Sequence, residues 1–160
     1  MEIQPYLVGK IGVAKDDNIS RISIVGLKDQ PGVAFKVFER LAQAKVNVDI
    51  ILQSVGRNGT KDITFTVTAD QADEAVAAIE AMNDVLTFKS VTADTSISKV
   101  SVVGAGMETH PGVASKMFEA LSDEKINIQN ISTSEIKISV LIDEKDADRA
   151  VVAIHDKFLG

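Results

Sequence analysis

The 160-residue sequence contains no cysteine, no tryptophan, one tyrosine and only two histidines. The absence of cysteine excludes disulfides, thiolate metal sites and cysteine nucleophiles. The two histidines, His110 and His155, have no partners at metal-ligand spacing, so the sequence predicts no metal site. The shortage of histidine and tyrosine leaves few candidates for acid–base catalysis, which argues against an independent enzyme.

Long hydrophobic runs and an excess of positive charge are also absent. No apolar stretch approaches the ~20 residues of a membrane-spanning helix, and the first residues lack the basic and apolar segments of a secretory signal. The net charge of −6 disfavours binding to nucleic acid or to an acidic membrane. With 45% hydrophobic and 25% charged residues the composition is that of a globular domain, and we expect a cytoplasmic protein.

An internal repeat determines the organisation of the chain. The segment PGVAFKVFERL at 31–41 recurs as PGVASKMFEAL at 111–121, an offset of 80 residues. At the same offset, KVNV at 45–48 recurs as KINI at 125–128. The sequence therefore predicts two copies of one unit of about 75 residues, an organisation that excludes a single enzyme core with one unique cleft.

The hydrophobic pattern of each copy predicts the order strand, helix, strand, strand, helix. In the first copy, residues 21–26 alternate polar and apolar, and apolar residues then follow at helical spacing from Pro31. Residues 46–53 have period two, which is typical of a strand with one buried face.

A hairpin and a second helix complete the first copy. Asn58-Gly59 indicates a tight turn before a third strand at 63–67, and Asp70 is the expected N-cap of the next helix. A fourth strand is predicted near 86–91. The unit is then βαββαβ, a ferredoxin-like α+β arrangement with helices on one face of an antiparallel sheet.

The second copy has no room for a fourth strand, because its closing helix after Asp143 runs to the end of the sequence. Conversely, residues 6–14 contain a strand-like segment that the first copy does not need. We therefore predict that this N-terminal strand completes the second domain. The predicted domains are 16–94 for the first, and 6–15 plus 95–160 for the second.

The loop before the first helix of each copy is the best candidate for a ligand site. A helix N-terminus offers free N–H groups that suit a carboxylate, and Gly32 or Gly112 lets a ligand approach the backbone. Asp29 or Glu108 beside it is placed to meet an ammonium group. Backbone donors for a carboxylate and an acidic residue for an ammonium group together fit a free amino acid. A Pro-Gly sequence that only starts the helix is an equally good explanation of the motif.

Polar residues of the second strand form another group of candidates. Those predicted on the sheet face away from the helices are Asn47, Asp49, Gln53, Asn127, Gln129 and Thr133. An ordinary solvated sheet face would look similar. Followed by Ser132–Glu135, however, they resemble a set of donors and acceptors that converges on a small polar ligand.

Other ligand classes fit less well. Gly104-x-Gly106 lacks the third glycine of a dinucleotide site, and no Gly-rich phosphate loop with a lysine is present. An acylphosphatase-like site on this fold needs an arginine in a phosphate-cradling loop. An RNA-binding sheet needs aromatic and basic side chains on its exposed strands, where this sequence has Thr64 and Thr66.

Four motifs resemble the regulatory part of aspartate kinase, its tandem ACT domains. They are KDQPGVA at 28–34, NVDIILQ at 47–53, GAGMETHPGVA at 104–114 and the run from Asn127 to Ile142. The resemblance covers the chain from about Gly9 onward. Without a kinase domain, the sequence is similar to the separately translated β subunit of α2β2 aspartokinases, and a regulatory fragment of a longer kinase would look the same.

The resemblance implies feedback control of the phosphorylation of L-aspartate by ATP, the first step of lysine, threonine and methionine synthesis. Catalysis, with ATP and Mg, would lie on another chain or segment, so this chain itself needs no cofactor. The implied partners are a catalytic aspartokinase α chain and a second copy, the homodimer forming through ACT1–ACT2 pairing with effector pockets at the seams. The alternative is a free-standing amino-acid-binding ACT module without a kinase partner.

The resemblance also assigns candidate effector residues. A threonine-type pocket would use Lys28, Asp29, Gly32, Ala34 and Gln53, with Asn127 and Ile128 from the facing ACT2. A lysine-type pocket would involve Asp49, Met107, His110, Val113, Ala114, Thr133, Ser134 and Glu135. The remaining candidates are Gln30, Pro31, Val33, Asn47 and Gln129. Gly56 and Arg57 lie in a loop that varies in the family, so effector choice stays open there.

Overall fold

The structure is a computed structural model that describes residues 11–54, 56, 58–104 and 112–159. These residues form two compact units, a first unit of Asn18–Thr95 and a second unit of 11–17 with 96–159. Within the described residues each unit has one four-stranded antiparallel sheet and two α-helices. The predicted fold class, two ferredoxin-like units in tandem, is confirmed.

Strand β1 (Gly12–Asp16) is the first strand of the described residues and belongs to the second unit. The first unit then contains β2 (Ser20–Lys28), α1 (Val33–Gln43), β3 (Ile51–Gln53), β4 (Thr60–Val67), α2 (Ala72–Glu80) and β5 (Ser90–Asp94). Its sheet has the strand order β3-β4-β2-β5, with every neighbouring pair antiparallel. This order leaves β3, the second strand of the repeat, at one edge.

Helix α1 covers the centre of this sheet through one apolar face. Val33, Val37 and Leu41, spaced four residues apart, are buried against the strand residues Ile22 and Phe65. The helix begins at Val33 instead of at Pro31, because Gly32 adopts a left-handed backbone (φ 86°) at the N-cap position. Pro31 therefore lies in the turn before the helix.

Two other predictions for the first unit are wrong. Asp70 is not the N-cap of α2, because Ala69–Gln71 forms a short 3₁₀ helix and α2 begins after Gln71. The fourth strand lies at Ser90–Asp94 instead of near 86–91. The apolar pattern places Leu86 in the predicted strand, whereas the structure buries it in the core ahead of the strand.

The second unit repeats this architecture with β1 in the place of the fourth strand. After β1 it contains β6 (Ile97–Val103), α3 (Gly112–Asp123), β7 (Asn130–Thr133), β8 (Lys137–Asp143) and α4 (Ala147–Leu159). Strand β1 pairs antiparallel with β6, with Gly12 opposite Val103, in a sheet of order β1-β6-β8-β7. The prediction that an N-terminal strand completes the second copy is confirmed, although the predicted segment 6–14 begins outside the described residues.

The core of the second unit lies between its sheet and the buried faces of α3 and α4. Met117 and Leu121 on α3 and Ile154 on α4 pack there against the strand residues Val100 and Val140. In the part of the chain that the structure describes, no helix has both the length and the apolar character needed to span a membrane.

Candidate functional site

A cleft of about 460 Å³ lies at the start of α1 in the first unit. Its lining residues are Asp29, Gln30, Pro31, Gly32, Val33, Ala34, Phe35 and Lys61. Six of these, from Asp29 to Ala34, are candidates from the sequence. Phe35 and Lys61 are not. The alternation of β4 contained a signal for Lys61, because it lies two residues before the buried Ile63 on the same face of the strand.

The first turn of α1 presents backbone donors to this cleft. Val33 N–H donates to the Gln30 carbonyl at 3.3 Å, and the first bond of the helix runs from Lys36 N–H to the Gly32 carbonyl at 3.1 Å. Among the described residues, no partner accepts a hydrogen bond from the N–H groups of Ala34 and Phe35. Two free N–H groups at the positive end of a helix suit a carboxylate.

Asp29 supplies a negative charge beside these donors. Its Oδ1 lies 3.3 Å from the Lys61 ammonium, and its side chain is 43% exposed, whereas that of Lys61 is only 11% exposed. Its Oδ2 lies against Gly56, since a Cβ added at Gly56 would come within 2.3 Å of that oxygen. The carboxylate is thus held between an ammonium and a glycine backbone, with part of its surface open to the cleft.

The β3–β4 hairpin fixes the backbone of Asp29. Its turn residues Asn58 and Gly59 have φ of 56° and 76°, the left-handed values that a tight Asn-Gly turn requires. The Gly59 carbonyl accepts a hydrogen bond of 2.8 Å from Asp29 N–H. The predicted turn is confirmed, and it also positions the acidic residue of the cleft.

Strand β3 is preceded by a β-bulge that period-two alternation does not reveal. Asp49 N–H donates to the Thr66 carbonyl, and Thr66 N–H donates to the Ile50 carbonyl, both at 3.0 Å. Asp49 and Ile50 therefore lie together opposite Thr66. The Ile50 N–H, left over by this two-to-one pairing, donates to Thr66 Oγ1 at 3.0 Å.

The second copy contains the equivalent bulge at the start of its second strand, β7. Gln129 N–H donates to the Leu141 carbonyl at 2.9 Å, and the next residue, Asn130, is itself paired with Leu141. The bulge residues of the two copies, Asp49 with Ile50 and Gln129 with Asn130, are 80 positions apart, so the irregularity belongs to the repeat.

Each bulge moves the residues that follow it onto the other sheet face. Gln53 pairs with Ile63, and Thr133 pairs with Ile138, both buried beneath the helices. Directly opposed residues of an antiparallel pair share a face. The prediction that Gln53 and Thr133 lie on the face away from the helices is therefore wrong: both lie on the helix side, at the sheet edge.

The other candidates of the first unit lie outside the cleft lining. Lys28 is exposed at the end of β2, where its N–H donates to the Thr87 carbonyl. Asn47 and Asp49 are exposed ahead of β3. The side chain of Gln71, which is not among the sequence candidates, accepts from Asn47 N–H and donates to the Lys45 carbonyl, both at 3.0 Å, and so holds this turn.

In the second unit, a groove of about 420 Å³ beside the end of α3 contains two of the candidates. It is lined by Phe118, Ser122, Lys125, Ile126, Asn127 and Ile128. Lys125 has a φ of 57°, matched by 60° at Lys45, so the chain leaves the helix in the same way in both copies. Asn127 and Ile128 are thereby presented at the surface immediately after the helix.

The remaining candidates of the second unit are not brought into this groove. Val113 is buried in the core and Ala114 is half-buried, so Val113 offers a ligand little surface. Ser134 and Glu135 are exposed in the turn after β7, where Ser134 N–H donates to the Lys137 carbonyl at 2.7 Å. Met107 and His110 lie outside the described residues.

Two clear pKa shifts lie around the end of β1. In the second unit, the Asp148 and Asp17 carboxylates, 2.5 and 2.9 Å from the Lys15 ammonium, raise its pKa to about 12. The pKa of Asp17 is lowered, mainly by a hydrogen bond of 2.5 Å that Ser98 Oγ donates to Asp17 Oδ1 and secondly by Lys15. These contacts join β1 to β6 and α4, so they serve the fold. Among the described residues no acidic or histidine cluster could hold a metal ion.

Comparison with protein families gives a match to the ACT domain over residues 22–82 and 100–158. The aspartokinase of Mycolicibacterium smegmatis is 46% identical over 149 residues, which are 92% of this chain and 35% of that protein. An aspartokinase of Helicobacter pylori is 46% identical over 144 residues, 90% of this chain and 35% of that protein. The chain thus spans about a third of the length of these curated relatives.

Two solved structures of aspartokinase subunits match over nearly the whole length of the matched chain. A crystal structure of aspartokinase alpha and beta subunits has a chain that is 44% identical, with a TM-score of 0.85, covering 92% of this chain and 97% of that one. The ligand-free regulatory subunit of aspartate kinase from Thermus thermophilus is 39% identical, with a TM-score of 0.87 and the same coverage.

Proposed function

Because the chain belongs to the ACT-domain family, as the regulatory region of an aspartokinase, we propose that it binds an end-product amino acid and thereby inhibits a catalytic aspartokinase chain or segment. The proposed effectors are L-threonine and L-lysine, and the inhibited reaction is the phosphorylation of L-aspartate by ATP. The observation that carries the proposal is the cleft at α1, where free backbone N–H groups lie beside the Asp29 carboxylate.

The cleft matches the charges of a free α-amino acid. The N–H groups of Ala34 and Phe35 bind the α-carboxylate, and Asp29 binds the α-ammonium group, which is attached to the same carbon. The aliphatic atoms of Pro31 and Ala34, which line the cleft and are exposed and half-buried respectively, pack against the side chain of the ligand. A volume of about 460 Å³ is within the usual range for small-molecule pockets.

The open sheet edges support a pairing of two chains. Ile51 on β3 and Ile131 on β7, at equivalent positions of the repeat, are 52% and 45% exposed although they lie on the helix side. We propose that β3 of one chain lies along β7 of a second copy, which covers both isoleucines. Gln53 is then at the seam, where Asn127 of the partner subunit completes the effector site.

Regulation follows from this arrangement by linkage. A ligand that touches both chains tightens the dimer by mass action, because it binds the paired state more strongly than the separate chains. If the paired state holds the catalytic part in its less active form, the same ligand shifts the population toward that form. The size of the inhibition is then limited by the difference between the affinities for the two states.

Calorimetric titration with L-threonine and L-lysine tests the proposal, with L-methionine and L-aspartate as controls. We expect saturable binding of threonine or lysine, and a loss of at least about tenfold in threonine affinity for Asp29→Ala. Asp84→Ala removes an exposed carboxylate of the same unit outside the cleft lining and should leave the affinity unchanged. Unchanged affinity in folded Asp29→Ala would contradict the site.

Co-purification with a catalytic aspartokinase chain tests the regulatory part of the proposal. Stable association, together with amino-acid-dependent inhibition of aspartate phosphorylation, is the expected result. Amino-acid binding without any kinase association would instead favour a free-standing interaction module.

A further inference from the structure

We propose that Lys61 sets the effector preference of the first-unit cleft, so that amino acids with an uncharged side chain bind and those with a cationic side chain are disfavoured. The inference rests on the proposed function, because it concerns which amino acid the cleft selects. Lys61 is a residue that the sequence motifs do not include.

The strand pairing directs Lys61 toward α1. Lys61 lies opposite Leu27 in the β2–β4 register, and Leu27 is fully buried on the helix side of the sheet. The Lys61 side chain shares that face, is only 11% exposed and lines the cleft. A lysine at a sheet surface normally extends its ammonium into water, whereas this one ends 3.3 Å from Asp29 Oδ1.

The charges of the cleft are already balanced before a ligand enters. Asp29 is the one carboxylate among the described lining residues, and Lys61 is the one ammonium. A zwitterionic amino acid with an uncharged side chain adds no net charge, so the balance is kept. A second ammonium on the ligand side chain has no carboxylate to meet and faces Lys61 as a like charge, which raises the cost of burial.

The second copy lacks this cation. Gln53 pairs with Ile63 and Thr133 with Ile138, so the two copies can be aligned through these pairs. Two residues earlier, Lys61 corresponds to Ile136, a residue that is 55% exposed. The preference against a cationic ligand is therefore a property of the first unit, and the two copies of the repeat differ in charge at this position.

The test compares L-lysine with L-norleucine, which has the same carbon chain without the side-chain ammonium. Both are titrated as competitors of L-threonine into the full chain, and only the signal lost in Asp29→Ala is assigned to the cleft. In the wild type, norleucine should displace threonine better than lysine does. Lys61→Met, which keeps the aliphatic stem, should reduce this difference at least about fivefold, and Lys61→Arg, which keeps the charge, should preserve it.

The possible failures are distinguishable. If Lys61→Met still binds threonine but discriminates against lysine as the wild type does, Lys61 does not set the preference, and the proposed function stands. If lysine displaces threonine from the wild-type cleft as well as norleucine does, the inference is likewise overturned. If the wild type binds no amino acid at all, both the proposed function and the preference derived from it are wrong.

Discussion

Replacing Gly56 by alanine would test whether the position of the Asp29 carboxylate determines effector binding. The added Cβ would lie 2.3 Å from Asp29 Oδ2 and 3.2 Å from the Thr60 carbonyl. Because ordinary contacts begin at about 3.4 Å, the carboxylate would have to move by roughly 1 Å. The Gly56 backbone itself is not strained by the change, since its φ is not in the left-handed region.

The expected effect on affinity is larger than the effect on stability. A hydrogen bond to a charged group contributes about 1.5–3 kcal/mol, so loss of half of it at the ligand ammonium would weaken threonine binding by about three- to twelvefold. The Asp29–Lys61 pair contributes little to the fold, because Asp29 is 43% exposed and pairs of this kind are worth about 0–1 kcal/mol. We therefore expect a drop of less than about 1 kcal/mol in the free energy of unfolding.

Calorimetric titration with L-threonine and urea unfolding followed by circular dichroism measure the two quantities separately. Gly12→Ala is a suitable control, because a Cβ at Gly12 has no atom within 4 Å. Gly12→Ala should leave the threonine affinity unchanged and should not lower the free energy of unfolding. A folded Gly56→Ala chain that binds threonine within about twofold of the wild type would show that the ligand does not depend on the Asp29 carboxylate.

Two further predictions concern the second unit and the sheet edge. Ser98→Ala should raise the pKa of Asp17 toward its ordinary value of 3.8, as measured by NMR titration of its carboxyl carbon. A carboxylate whose pKa is lowered in the folded state stabilises the fold at pH values above its ordinary pKa, and this stabilisation is lost as the pH falls through the lowered pKa. The stability of the Ser98→Ala variant should therefore depend less on acidic pH. An unchanged pKa of Asp17 in the variant would contradict the assigned cause. Ile51→Asp should convert the proposed dimer to monomer in sedimentation velocity, whereas Val152→Asp, at a helix position that is 58% exposed, should not. A persistent Ile51→Asp dimer would exclude pairing through β3.

Local patterns in the sequence were sufficient for most of the fold. The apolar spacing of Val33, Val37 and Leu41 depends only on helix geometry, so the buried face of α1 could be predicted. The pairing of β1 with β6 could be predicted because the second copy lacked a fourth strand, whereas a strand-like segment before the first copy had no place in that copy. Both features depend only on the order of residues in the chain.

The bulge at Asp49 and Ile50 could not be predicted in the same way, because it depends on the partner strand. The extra N–H of Ile50 is accepted by the Thr66 hydroxyl, sixteen residues away in the chain, and alternation within 46–53 contains no trace of that contact. The position of Lys61 against Asp29 has the same origin, since it depends on the register of β2 with β4. Long-range pairing, not local propensity, places these residues.

The bulge also explains how one repeat can place chemically different side chains at the same point of the sheet edge. In both copies the extra residue of the bulge reverses which side chains face the helices, so Gln53 and Thr133 lie on the helix side at equivalent places on the sheet edge. The backbone geometry is thus common to both copies, whereas the side chains are not: the amide of Gln53 is replaced by the hydroxyl of Thr133, and Lys61 by Ile136. If the first cleft selects an effector with an uncharged side chain through Lys61, the second copy, which has Ile136 at that position, lacks the repulsion that would exclude a basic effector. The duplication would then allow one chain to respond to two different amino acids.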